Sequence, residues 1–410
     1  MRGCEVGFKG KGLIGDEVKE VTLISKGDYL EVKGPSSPCN CEVCIEGEGL
    51  VALPGMIDAH VHVRDWDLSY KETIETASKA ALKGGVVAFF DMPNTSPKVN
   101  TYALVKKRIE DFEKRSYVDF GLYVSPNEDL EEFERILELP IAGVKLFPQD
   151  YAFADFLSKR DVLVVVHPED PLYIKESPTP GERGVARNPI AELKAVESLS
   201  EIISRVHFTH LSTPEAVRRA KERNKGVDST PHHLMLNSNK ERELECFAKV
   251  NPPLRPELIQ RELLKMFLEG PWVVVTDHAP HAAWEKELDF SSCPPGFPGL
   301  EVALPLLLRL FRLGLVSLYD VVKAYSELPA KMLGLWPRLG VLRTGSLASF
   351  TIVKLEEWPI NPETFESKAK FSPFEGFPAF GEVVATVIRG KLAYFAGELK
   401  KIHARNLADL

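Results

Sequence analysis

From Leu53 onward the chain alternates short apolar runs with longer stretches in which apolar positions recur at helical spacing. The runs Ile57–His62, Val86–Asp91, Val118–Val124, Gly143–Phe147, Val162–His167, Val206–His210, Gly226–Thr230 and Trp272–Asp277 are rich in β-branched residues and predict eight strands. Between them the period predicts helices over Tyr70–Lys83, Thr101–Arg115, Asn188–Ser204, Pro214–Arg223 and Pro256–Phe267, with shorter ones over Glu128–Glu138 and Tyr151–Lys159. Val162–Val166 and Val273–Val275 are nearly continuous valine, the pattern of strands covered on both faces. This alternation is α/β, and eight strand–helix units are the number that closes a (β/α)8 TIM-like barrel. The competing fold is a doubly wound open sheet, but no Gly-X-Gly-X-X-Gly follows an early strand.

Upstream the pattern changes. Val18–Ser25 and Tyr29–Val32 read as short strands, with Gly10–Gly15, Lys26-Gly27-Asp28 and Gly34-Pro35 as turns and no helical period. The N-terminal stretch therefore predicts a small β unit. A chain of 410 residues is long for one core, which fits one large domain plus a smaller one.

Composition narrows the function classes. Hydrophobic content of 44% with 27% charged residues is that of an ordinary globular protein, and a net charge of -8 argues against a nucleic-acid surface. No apolar run is long enough to cross a bilayer, and Met1-Arg2-Gly3-Cys4-Glu5 lacks a signal-peptide core, so a cytoplasmic location is expected. Only two glutamines, Gln149 and Gln260, and 6 methionines lean towards a heat-adapted source. Cys39, Cys41 and Cys44 cluster while Cys4, Cys246 and Cys293 stand apart. The cluster is one thiol short of a Cys4 zinc site, and a disulfide within it or to Cys4 is the other reading.

His60 and His62 sit one residue apart, so on a strand both imidazoles leave the same face. At the end of an apolar run, with Arg64 just beyond, this His-X-His points to two ligands of one metal; a pair of buried structural histidines is the alternative. Other polar residues fall at or near the carboxyl ends of the predicted strands: Asn94, Lys145, His167, His210 and Asp277. In a barrel these ends share one rim, where active sites sit. Lys145, inside Ala142-Gly143-Val144-Lys145-Leu146-Phe147, is costly to bury unpaired. Either a structural salt bridge or conversion to a carbamate by carbon dioxide would account for it.

Several longer stretches are far more specific. Gly55-Met-Ile-Asp-Ala-His-Val-His-Val-Arg64, Tyr70-Lys-Glu-Thr73, Asp91-Met-Pro-Asn-Thr95, Thr230-Pro-His-His-Leu234, Lys249-Val-Asn-Pro-Pro-Leu-Arg255, Asp277-His-Ala-Pro-His281 and Pro294-Pro-Gly-Phe-Pro-Gly-Leu-Glu301 together resemble the dihydroorotases of the amidohydrolase superfamily. Gly340–Ile352, Ser372-Pro-Phe-Glu-Gly376 and Val383–Leu392 resemble that family's returning β segment. The resemblance implies a discontinuous β-sandwich from residues 1–52 and 340–410 around a catalytic barrel of 53–339.

Carried over residue by residue, it makes His60, His62 and Asp277 ligands of one Zn2+, His167 and His210 ligands of a second, and carbamylated Lys145 (N6-carboxylysine) the bridge. Arg64, Asn94 and His281 would hold a substrate carboxylate, while Asn251 and the Pro295-Gly296 backbone would line a pyrimidine ring. The implied reaction is the reversible cyclisation of N-carbamoyl-L-aspartate to dihydroorotate in pyrimidine biosynthesis. In the opening direction, hydroxide held between the metals attacks the ring amide and Asp277 shuttles the proton. A homodimer and an association with aspartate transcarbamoylase are the partner expectations.

The chain departs from the family at Asp65-Trp66-Asp67, where Glu-Pro-Gly is usual, and at Ala348-Ser349-Phe350 in the returning segment. Subfamilies also differ in whether they keep the bridging lysine. The rivals are a dihydropyrimidinase, hydantoinase or allantoinase, which needs no carboxylate clamp, and a non-catalytic relative serving as a partner subunit, which would have lost a ligand. A barrel with purely structural histidines is the third.

Overall fold

A computed structural model describes residues 4–410. Eight parallel strands, β5 (Met56–Val61), β6 (Val86–Asp91), β7 (Asp119–Val124), β8 (Gly143–Leu146), β9 (Val164–Val166), β10 (Val206–Phe208), β11 (Gly226–Ser229) and β12 (Val273–Val274), pair in sequence order. A parallel bridge from Val61 to His278 brings the last strand back beside the first, with the His62 N–H donating to the His278 carbonyl at 2.8 Å. The expected barrel is therefore present, and all eight predicted runs supply its strands.

Helices cover its outside. The expected helix at Tyr70 begins instead at Ile74, because the Thr73 side chain accepts the Thr76 N–H and caps it there. The stretch expected as a helix over Tyr151–Lys159 is a 3-10 turn, Pro148–Phe153, followed by a single helical turn, Ala154–Leu157. Among the described residues no helix is long and apolar enough to cross a membrane.

The second sheet is mixed and unites both ends of the chain. Its order is β16 (Glu398–Leu399), β15 (Lys391–Phe395), β14 (Pro378–Ile388), β13 (Phe350–Pro359), β4 (Val43–Pro54), β1 (Val6–Ile14), β2 (Glu17–Lys26), β3 (Tyr29–Lys33). Residues 344–348 return to the outer strand β3, through the Leu30 N–H to Ser346 O bond and a Tyr29–Leu347 bridge. The sheet thus folds over its own core, which includes Phe8, Leu23, Phe350, Ile352 and Val387. Gly10–Gly15, expected as a turn, lies mostly inside β1. The register slips between Lys9 and Lys11, and a Cβ on Gly10 would come within 3.0 Å of the Phe8 ring.

Three disulfides form: Cys4–Cys41, Cys39–Cys44 and Cys246–Cys293. The N-terminal cluster is thus cross-linked and no thiol is left for zinc. The two sheets meet through Gly55, the single residue between β4 and β5, where a Cβ would fall 2.3 Å from Val87. Thr351 and Thr386 of the mixed sheet donate to the carbonyls of Gly85 and Leu82 at 2.7 Å each, fixing one sheet against the barrel's first strand–helix unit.

Candidate active site

At the carboxyl ends of the barrel strands a cavity of about 270 Å³ is lined by His60, His62, Arg64, Asn94, His167, His210, Asn251, Asp277, Pro295 and Gly296. Ten of the twelve residues singled out in the sequence therefore share one wall. Lys145 and His281 are the exceptions: the first is fully buried on β8, and the second is tied to residues around the cavity.

His60 and His62 project together from the end of β5, as alternation along a strand requires. The His60 Nδ1 lies 2.6 Å from Thr209 Oγ1, whose own hydroxyl donates to Asp228 at 3.0 Å, so the imidazole is the donor. His62 Nδ1 similarly meets Asn94 Oδ1 at 2.6 Å. Both Nε2 atoms are left as lone pairs. They lie 3.2 Å from each other and 3.3 and 3.0 Å from Asp277 Oδ1. Burial first, then the nearby Lys145 charge, keeps the His60 pKa well below its usual value. Three acceptors so close with no proton between neutral rings repel one another, and a cation among them removes the conflict. The donor set fits a metal.

The second group stands beside it. The His167 and His210 ring centres are 4.6 Å apart, and His210 is 5.2 Å from His60. Glu169 Oε2 accepts from His167 Nε2 at 2.7 Å, leaving Nδ1 as the free ring nitrogen. Arg187 grips the same carboxylate, with Nε to Oε1 at 3.1 Å and Nη2 to Oε2. Burial alone would raise the Glu169 pKa, but the His167 hydrogen bond and the Arg187 charge outweigh it and hold it well below the carboxylate range. Among the described residues His210 Nδ1 and Lys145 Nζ are buried without a hydrogen-bond partner. The salt bridge that would have explained Lys145 is absent among the described residues; its ammonium lies over the Phe147 ring, 5.3 Å from the ring centre. Burial lowers its pKa to about 7, against the opposing pull of Asp277 and Asp228. These orphaned atoms are what an added carboxylate and a second cation would satisfy.

Arg64 enters from a strained loop. Arg64, Asp65 and Trp66 have φ of 63°, 64° and 47°, left-handed in succession without a glycine. Side chains from the neighbouring helix hold them: Arg108 donates to the Arg64 carbonyl at 3.2 Å, Arg115 pairs with Asp65 at 2.8 Å, and the Trp66 indole donates to Asp111 at 2.8 Å. The Asp65-Trp66-Asp67 departure is thus accommodated by ion pairs and caps rather than by glycine. The Arg64 guanidinium lies 3.3 Å from His281 Nε2, and His281 Nδ1 is 3.0 Å from Lys71 Nζ. Burial and these cations push the His281 pKa far down, so it stays neutral.

Sequence reasoning missed Glu169, Arg187, Thr209 and Asp228. Glu169 sits two residues beyond His167 and could have been suspected as its brace. Arg187 arrives from a loop with no periodic signal. Asp228, on β11, accepts from Thr209, from His207 at 2.8 Å and from the His210 N–H at 2.5 Å, so one carboxylate braces ligands of both groups.

The sequence pattern of the amidohydrolase family matches residues 51–393. The chain belongs to that family. Among its relatives, the dihydroorotase of Sulfurisphaera tokodaii is 38% identical, with 90% of this chain and 91% of that protein covered. The dihydroorotase of Pyrobaculum aerophilum is 36% identical over 98% of this chain and 100% of its own length. Among solved structures, the L-hydantoinase from Arthrobacter aurescens superposes with a TM-score of 0.92 at 23% identity, covering 98% of this chain and 99% of that one, a likeness of fold. As an amidohydrolase the chain is a metal-dependent enzyme acting on a small molecule, and the His60, His62 and Asp277 group is where its donors converge.

Proposed function

We infer that this amidohydrolase is a dihydroorotase, interconverting N-carbamoyl-L-aspartate and (S)-dihydroorotate plus water in de novo pyrimidine (UMP) synthesis. It is a cyclic amide hydrolase with dihydroorotases as near-full-length relatives. The observation that carries the substrate assignment is Arg64, a guanidinium 8% exposed in the same small cavity as the converging histidines. A buried cation beside a hydrolytic centre calls for an anionic substrate.

In this reading His60, His62 and Asp277 would hold one zinc and His167 and His210 a second, with Lys145, as a carbamate, supplying a further ligand. When bound, the two zinc ions supply hydroxide near neutral pH and polarise the ring amide. Arg64 and Asn94 orient the substrate carboxylate. Because Asn94 Oδ1 is taken by His62, its amide NH2 is the group left to donate to the substrate. His281 supports Arg64, and Asn251 with the Pro295-Gly296 backbone faces the ring. As the ring C–N bond breaks, Asp277 delivers to the leaving nitrogen the proton it accepted from the attacking water. The β domain of residues 1–52 and 340–410 around a barrel of 53–339, and a cytoplasmic setting, belong to the same reading. So do a homodimer and an aspartate transcarbamoylase complex, which size-exclusion runs of the chain alone and mixed with that enzyme would reveal.

The decisive experiment is a ring-opening assay on metal-analysed protein, with dihydroorotate compared against dihydrouracil, hydantoin and allantoin. Dihydroorotate is expected to be preferred, with close to two zinc per chain and complete loss of activity on chelation. Arg64→Met should lower kcat/KM for dihydroorotate by roughly 10² or more with both metals retained. Faster opening of a neutral ring by the unmodified protein would move it to the hydantoinase-type relatives, and active protein without metal would remove the mechanism.

A further inference from the structure

Two loops form the cavity wall assigned above to the substrate ring, and the roles given so far do not explain what holds them. One loop carries Asn251; the other carries Pro295 and Gly296. The Cys246–Cys293 disulfide ties them together, with both sulfur-bearing residues buried against Phe290. Lys249 adds a second tie. Its Nζ donates to the carbonyls of Phe290 at 2.6 Å and Cys293 at 2.7 Å, while its own carbonyl accepts the Gly296 N–H at 2.8 Å. From the other side Lys286 Nζ donates to the carbonyls of Pro294 at 2.8 Å and Gly296 at 2.9 Å.

Four carbonyls of one short loop therefore turn towards two ammonium groups, on residues 6% and 2% exposed. Neither ammonium is ion-paired to a carboxylate among the described residues. Burying two such cations is expensive, and surface lysines would serve a merely structural turn more cheaply. The loop they hold ends at Pro295, whose carbonyl is 3.0 Å from His281 Nε2, and at Gly296, where a φ of 127° favours glycine. A Cβ on Gly296 would also strike the Ala279 carbonyl at 2.5 Å. The wall is thus fitted closely against Ala279, which lines the same cavity, and held by the two lysines.

We propose that the Cys246–Cys293 disulfide, Lys249 and Lys286 form a clasp that fixes the ring-facing wall, making them positioning residues for substrate affinity rather than for the chemical step. This rests on the ring-binding reading of Asn251, Pro295 and Gly296. Without the clasp the two loops sample several arrangements, and apparent affinity falls by the fraction that remains competent. The metal donors stand on β5, β8 and the strand ends beyond them, so their occupancy does not depend on the clasp. The other two disulfides, in the N-terminal sheet, supply an internal control.

The test compares Cys246→Ser/Cys293→Ser and Lys249→Met with the control Cys39→Ser/Cys44→Ser, all with metal content measured. The expected result is a KM for dihydroorotate raised about ten-fold in the first two, the rise for a wall competent about one-tenth of the time. Their kcat and metal content should stay unchanged, and hydrogen exchange should be faster at the Gly296 amide. Lys249→Arg, which keeps a donor, should recover part of the affinity, and the control should leave KM alone. An unchanged KM, a KM rise in the control as well, or kcat and metal falling together would overturn the clasp. If the paired cysteine variant fails to fold, Lys249→Met decides. If the unmodified protein does not open dihydroorotate, the parent reading fails visibly; Gly296 exchange, and KM for whichever cyclic amide it does open, then judge the clasp.

Discussion

The two halves of the candidate metal centre are built to different degrees of completion. Around His60, His62 and Asp277 each Nδ1 is occupied, by Thr209 or Asn94, and the remaining donors already point at one spot. Around Lys145, His167 and His210 only one side chain is tied in place: Glu169 and Arg187 hold His167 and Asp228 accepts the His210 backbone N–H, whereas Lys145 Nζ and His210 Nδ1 have no hydrogen-bond partner among the described residues. A buried polar group left unpaired costs about 1–3 kcal/mol. The first half is thus set by the fold, at the seam where the first and last strands meet, and the second gains most from what binds there. Loss of an added group should empty the second half and spare the first.

The sharpest break is expected from Asp277→Asn. It removes a first-half ligand and the proton carrier together, and kcat should fall by at least ~10². Metal analysis separates the two losses: retained metal with a lost rate assigns the proton role, and an unchanged rate and pH profile moves that role elsewhere. Next, Lys145→Ala should vacate the second half alone, leaving about one metal per chain and a rate partly restored by added short carboxylates. Retention of both metals at full rate would make Lys145 structural and erase the contrast between the halves. The smallest effects should come from the braces. Glu169→Gln should weaken metal retention at the second half by roughly 10–100-fold. Thr209→Val, acting on the better-tied first half, should sit near the low end of that range. Equal losses, measured by chelator competition, would show the halves to be equally dependent on their supports.

Much of this architecture could be read from residue patterns, for reasons that are local. The valine-rich runs mark strands covered on both faces, and the polar residues closing them had to share a rim once the barrel closed. The lengths were less legible. Trp272–Asp277 was expected as one strand, yet only Val273–Val274 pair in the sheet, because the chain bends away to bring Asp277, at φ 49°, into the cavity. Gly10 and Gly12 looked like a turn because glycine is usually punctuation; here they make room for the Phe8 ring and for Val21, whose Cγ2 would lie 2.9 Å from a Cβ on Gly12. The Cys246–Cys293 pairing and the reach of Arg187 to Glu169 join segments with no shared periodicity, and connectivity of that kind is set only in three dimensions.

The place of β4 bears on how the protein is made. On one side β4 pairs with β1, a near neighbour in the chain; on the other, Phe350 of β13 pairs with Pro54, with nearly the entire barrel sequence between them. During synthesis the amino-terminal hairpin and β4 emerge early, so one row of β4 backbone donors and acceptors stays bare until the barrel has been made. An open strand edge of that sort invites pairing with a neighbouring chain. A ribosome pausing within the barrel sequence would prolong that exposure, and the strand at risk is the one that continues, through Gly55, into the pair of histidines.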